Sequence, residues 1–204
     1  VADPSNLHDT SPTTERSLRD RLARVTLLLL DVDGVLTDGG VTWGNDGIEQ
    51  KTFHIRDGLG LRLWQRSGGR TGIVTGRSSH VVQLRATELG IGLVRQGIED
   101  KLGAVSAIVA EAGLTWDEVA FVGDDLPDLP VILRCGVGVA VADACDEMLA
   151  AATLVTSRPG GRGAVREVVE RLLRARGAWD AVVARYATAV TTVDGPHPPA
   201  PSAG

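Results

Sequence analysis

At 204 residues the chain has room for one full-sized domain and hardly for two. Its 43% hydrophobic and 23% charged residues are the balance of a folded globular chain, which argues against wholesale disorder, collagen-like repeats and low-complexity scaffolds. A net charge of −5 and 3% aromatic residues argue against nucleic acid or an anionic membrane as partner, yet leave open an anionic small molecule at a local arginine cluster.

Residues 1–17 mix Asp, Pro, Ser, Thr and Asn without periodicity and read as a flexible tail. They carry no basic, apolar and small-residue leader, which points to the cytoplasm. The folded part is expected over residues 18–187, beginning with a buried strand at 25–32. That apolar run is far shorter than the ~20 residues of a membrane span. Val41, Thr42 and Trp43, then residues 49–53, flank Gly44-Asn45-Asp46-Gly47 and predict a projecting β-hairpin.

Beyond it the pattern predicts a helix at 58–67, a strand at 70–74, a helix at 78–89 and a weaker strand at 92–94. A helix at 101–112, a strand at 119–122 and a helix at 128–135 come next. Strands at 138–141 and 152–155 then precede one long helix from 163 to about 186. Residues 188–204 are a second, Pro-rich flexible tail. Continuous rather than alternating strand hydrophobicity marks strands buried on both faces, as in parallel sheets. Strand and helix in alternation then imply an α/β fold with a doubly wound, mainly parallel sheet. Cys135 and Cys145 lack metal-type spacing and read as reduced thiols.

Ligands of such sheets bind beyond the carboxyl ends of the strands. The first strand ends in Asp31-Val32-Asp33-Gly34, whose two carboxylates fall on one side of an extended chain. Like charges so placed need a cation or a shared proton. The second strand ends in Thr75-Gly76-Arg77, readable as an oxyanion cradle or as a cap at a tight turn. Lys101, one of only two lysines, opens a helix, where a cation opposes the macrodipole and is better explained by a facing anion. Gly123-Asp124-Asp125-Leu126-Pro127-Asp128 crowds carboxylates at another strand exit, a donor set suited to Mg²⁺.

Taken in order, these signals resemble the four motifs of the haloacid dehalogenase superfamily of phosphotransferases. Within it the chain is similar to the capless phosphatases of 3-deoxy-D-manno-octulosonate (KDO) 8-phosphate. That likeness rests on D-V-D-G-V-L-T-D-G at 31–39, F-H-I-R-D-G at 53–58, V-T-G-R at 74–77, V-G-D-D-L-P-D at 122–128, V-A-V-A-D-A at 139–144 and G-G-R-G-A-V-R-E-V at 160–168. It implies a Rossmann-like core without a cap domain, and a metal-dependent phosphomonoester hydrolase.

By the same resemblance, Asp31 is the nucleophile and Asp33 the acid and later the base. Thr75 and Lys101 hold the phosphoryl oxygens. Mg²⁺, with Mn²⁺ or Co²⁺ as alternatives, is held by Asp31, Asp124 and the Asp33 carbonyl, with Asp125 in support. His54, Ile55, Arg56, Asp57, Gly58, Arg62, Gly76, Arg77 and Arg85 are the candidate substrate-binding residues. Asp128 either joins them or orients Lys101. A sugar acid phosphate is the expected substrate; a phosphatase of nine-carbon N-acylneuraminate or ketodeoxynononate 9-phosphates is the alternative. A homotetramer, its hairpins packed together, is expected to cover the otherwise open site, and the pathway implied is lipopolysaccharide inner-core synthesis.

Overall fold

The computed structural model describes residues 12–188. The ends at 1–11 and 189–204, and with them most of both predicted tails, lie outside the described residues. The chain runs as α1 (Pro12–Arg24), β1 (Leu27–Leu30), β2 (Thr42–Trp43), β3 (Glu49–Gln50), α2 (Ile55–Arg66), β4 (Arg70–Val74), α3 (His80–Glu88) and β5 (Leu93–Arg95). It continues as α4 (Lys101–Glu111), β6 (Val119–Gly123), α5 (Leu129–Ile132), β7 (Val137–Ala140), α6 (Asp146–Ala151), β8 (Leu154–Val155), α7 (Ala164–Ala175) and α8 (Trp179–Thr188).

Six strands form one sheet in the order β5-β4-β1-β6-β7-β8, and every pairing in it is parallel. β1 is four leucines, all buried, because it lies mid-sheet with helices on both faces. The chain moves from β1 through β4 to β5, then crosses to β6 and on through β7 to β8. With right-handed crossovers this reversal puts helices on opposite faces and opens a crevice between β1 and β6. α1 and α2 pack on α7, whereas α5 packs on α4 and α6. α7 contributes Val165, Val168, Val169, Leu172 and Leu173 to the core, a single stripe at helical spacing.

Several boundaries differ from the sequence reading. α1 starts at Pro12, inside the stretch read as tail. The strand expected over 25–32 is paired only over Leu27–Leu30. α5 is one short turn entered through a 3-10 turn over Leu126–Asp128. α6 had no counterpart in the reading. The single long C-terminal helix is two, since Gly177 takes φ +67°, a left-handed conformation that ends α7. The hairpin is present but short: β2 pairs antiparallel with β3 through Thr42–Gln50 and Trp43–Glu49. Val41, Trp43 and Ile48 on it are exposed. No second domain interrupts the sheet among the described residues.

Candidate active site

The register of the three central strands assembles the site. Leu30 pairs with Ile73 on one side and Val122 on the other, so the next residue, Asp31, leaves the sheet beside the exits of β4 and β6. Its own N–H still bonds the Val122 carbonyl at 3.0 Å. The loop then turns at Gly34, with φ +85°, where a Cβ would collide with the Asp124 carboxylate. Only glycine lets the two acidic loops approach this closely.

Asp31, Asp124 and Asp128 converge, each offering a carboxylate oxygen within 4.8 Å of the others. Lys101, at the start of α4, reaches into this cluster and lies 2.9 Å from Asp31 Oδ2 and 2.6 Å from Asp128 Oδ1. Burial pulls the Lys101 pKa down, but the charges of Asp31 and Asp128 outweigh it and leave the ammonium with a raised pKa. Asp124 is pushed up to about 7, first by burial and then by the charges of Asp31 and Asp128. Asp128 is likewise raised, by burial and then by Asp31. The cluster therefore carries more negative charge than its one lysine balances. Asp31 Oδ1 is buried with no hydrogen-bond partner. An orphaned carboxylate oxygen beside Asp124 is what a divalent cation would satisfy, so the residues fit a metal.

Thr75, at the end of β4, is buried, with its N–H bonded to the Arg95 carbonyl at 3.0 Å. Asp33 stands apart from the cluster. Its carboxylate pairs with Lys51 and lies 3.5 Å from Arg77 Nη1. Arg77 Nη2 donates to Glu49 at 2.7 Å, and the Ser79 hydroxyl donates to the same carboxylate at 2.5 Å.

Other predicted residues fall elsewhere. Asp128 makes the contacts of the orienting alternative: one oxygen holds Lys101 and the other accepts the Asp124 N–H at 3.1 Å. Asp125 is exposed and accepts from the Leu126 N–H at 2.8 Å, capping the 3-10 turn rather than joining the carboxylate cluster. Asp57, expected among the substrate-binding residues, has its carboxylate engaged within the fold. It is 1% exposed, and it accepts from the Gly163 N–H at 3.2 Å and the Arg166 N–H at 2.7 Å, so its carboxylate caps α7 from a distant element. Burial raises its pKa. His54 Nδ1 sits 3.9 Å from Asp57.

Gly58 is buried against Arg85 and Leu89, a packing position. Arg62 donates to the Glu88 carbonyl, and Arg85 pairs with the Glu88 carboxylate and covers the Phe53 ring. Ile55 is exposed beside them. Arg56 lines a cavity of about 480 Å³ with Ser157, Arg158 and Arg166, which includes none of the clustered aspartates. The sequence reading missed Glu49, Lys51 and Ser79. The one signal for Lys51 was the scarcity of lysine.

A family model of haloacid dehalogenase-like hydrolases matches residues 91–167. The chain is 46% identical over 156 residues to the 3-deoxy-D-manno-octulosonate 8-phosphate phosphatase KdsC of Escherichia coli K12, covering 76% of this chain and 83% of the relative. The chain belongs to the KDO 8-phosphate phosphatase family. The Moraxella catarrhalis phosphatase, solved with a magnesium ion, a phosphate ion and KDO, superposes with a TM-score of 0.83 at 39% identity, covering 84% of this chain and 98% of that one. The cobalt-bound Haemophilus influenzae phosphatase gives 0.76 at 37% identity, covering 79% and 94%. Members of this family thus bind a divalent cation, in keeping with the orphaned Asp31 oxygen.

Proposed function

We propose that the chain hydrolyses KDO 8-phosphate to KDO and inorganic phosphate through an aspartyl-phosphate on Asp31. The observation that carries this is the Asp31 carboxylate itself. Lys101 holds one oxygen, and the other is buried and unpartnered at the mouth of the β1–β6 crevice. A carboxylate so fixed needs no further ordering before it attacks phosphorus.

The residues that would hold Mg²⁺ are Asp31 and Asp124, with the Asp33 main-chain carbonyl. Bound there, the ion supplies neutralisation of phosphate charge. Asp31 forms the new bond to phosphorus as the sugar oxygen leaves, and Asp33 gives that oxygen its proton. Asp33, now a carboxylate, takes a proton from water, whose oxygen attacks phosphorus and frees Asp31. One group serves as acid and then base because the two half-reactions move protons in opposite directions. Lys101, kept cationic by Asp31 and Asp128, and the Thr75 hydroxyl bind the transferring phosphoryl oxygens. Arg77 Nη2 is held by Glu49, and its Nη1, buried without a hydrogen-bond partner, is the edge it would offer the sugar carboxylate.

The exposed Val41, Trp43 and Ile48 on the hairpin fit a contact between copies of the chain, in a homotetramer that covers the open strand ends. Among the described residues no helix is long and apolar enough to cross a membrane. The enzyme would act in the cytoplasm, in lipopolysaccharide inner-core synthesis.

Phosphate release from KDO 8-phosphate, measured beside ketodeoxynononate 9-phosphate with Mg²⁺ and with chelator, tests the reading. Chelator-sensitive preference for the eight-carbon ester is expected. Preference for the nine-carbon ester would overturn the substrate while keeping the chemistry, and release from neither would overturn both.

A further inference from the structure

The foot of the hairpin holds four charged groups that the reaction scheme above does not fully use. Lys51 follows β3 directly, and its side chain is 1% exposed. A buried ammonium costs several kcal/mol unless paired. Here the partners are Asp33, in direct contact, and Glu49 Oε1 at 3.5 Å. Glu49 in turn accepts from Arg77 and from Ser79, which tie it to the loop after β4. Arg77 returns to the other oxygen of Asp33 at 3.5 Å.

Two acids and two bases close a ring. Lys51 is therefore not a spare cation awaiting a phosphate. Its charge is committed to one oxygen of Asp33, and Arg77 sets a second positive charge 3.5 Å from the other.

We infer that Lys51 is a positioning residue for Asp33, and that Glu49 anchors it, so the hairpin foot aims the acid/base carboxylate at the leaving oxygen. The physical need is plain. The terminal torsion of an aspartate is broad and weakly restrained, and a proton donor must sit within hydrogen-bond reach of its target. Asp33 lies in the loop past the sheet, so strand pairing does not orient its side chain. Lys51 and Arg77 reach it from separate segments, one from the hairpin and one from the loop after β4.

The inference rests on Asp33 being the acid/base group, and the test separates the two. In Lys51→Met, kcat for KDO 8-phosphate should fall about 10²-fold with KM changed by less than about threefold. Lys51→Arg, which keeps the cation, should recover most of the loss. With p-nitrophenyl phosphate the leaving phenolate needs no proton. Its release in a single turnover by Lys51→Met should stay within about threefold of wild type while steady turnover slows. Glu49→Gln keeps a partner for Ser79 but removes a charge from the ring, and it should show the same pattern more weakly. It is the variant to use if Lys51→Met does not fold.

A single-turnover loss of p-nitrophenol release as large as the loss with KDO 8-phosphate, or a raised KM at unchanged kcat, would mean that Lys51 binds or merely packs, and would overturn the inference. If Asp33→Asn itself kept full turnover, the reading of Asp33 would fall instead.

Discussion

The two lysines of the chain end on the two aspartates of one Asp-x-Asp, yet the two regions are built differently. Lys101 comes from the first turn of α4 and meets Asp31 and Asp128 at the ends of packed strands, with 3% of its side chain exposed. Lys51 comes from a hairpin whose paired strands are two residues each, and meets Asp33 in a ring closed by side chains alone. The first region is rigid because the sheet register makes it so. The second is ordered only as long as the hairpin stays seated. A nucleophile gains from the first kind of support, and a group that must give and take a proton gains from the second.

Substitutions can break that division, and the largest effect belongs to the sheet side. Asp31→Asn should lower turnover by roughly 10⁴-fold or more with the thermal unfolding midpoint little changed, read by phosphate release and melting. Substantial residual activity would remove the covalent route. Asp128→Asn strips Lys101 of one of its two partners. It should cost about 3 kcal/mol in denaturant unfolding and lower kcat by about 10²-fold, since a buried cation left half-paired is costly. Asp57→Ala sharpens the contrast from outside both regions. It should cost about 1–2 kcal/mol of stability by uncapping α7 while kcat stays near wild type. A strongly raised KM there would return Asp57 to the substrate.

The smallest effect is in pH. Asp124 has its pKa raised from 3.8 to about 7 in the folded chain, so the folded state binds its proton more tightly than the unfolded one. Without metal, this contribution to stability is full below about pH 4 and is lost as pH rises towards about 7. Mg²⁺ takes the ionised carboxylate, so its protection should grow across the same window. Melts with and without Mg²⁺ at about pH 5 and about pH 8 check this, and equal shifts at both would contradict it.

The meeting of Asp31, Lys101 and Asp124 was legible because each sits where a parallel strand ends or a helix begins, and such positions meet whatever the loops do. Lys51 was not, since two-residue strands with exposed faces leave no periodicity from which to place a side chain. The capping contacts of Asp57 were hidden for a related reason: its partners, Gly163 and Arg166, lie more than a hundred residues away, at 106 and 109 positions. The apolar stripe of α7 continues in phase past Gly177, so the break there is set by one backbone conformation and not by pattern. α1 hid behind a polar composition that resembles a tail.

The central claim is that Asp31 carries the phosphoryl group and Asp33 releases it. Its most direct test is the intact mass of Asp33→Asn quenched in acid after reaction with p-nitrophenyl phosphate and Mg²⁺. The account predicts a gain of one phosphoryl group, mapped to the peptide containing Asp31 and absent when Asp31 is also Asn. A gain on another residue, or one that survives loss of Asp31, would contradict it.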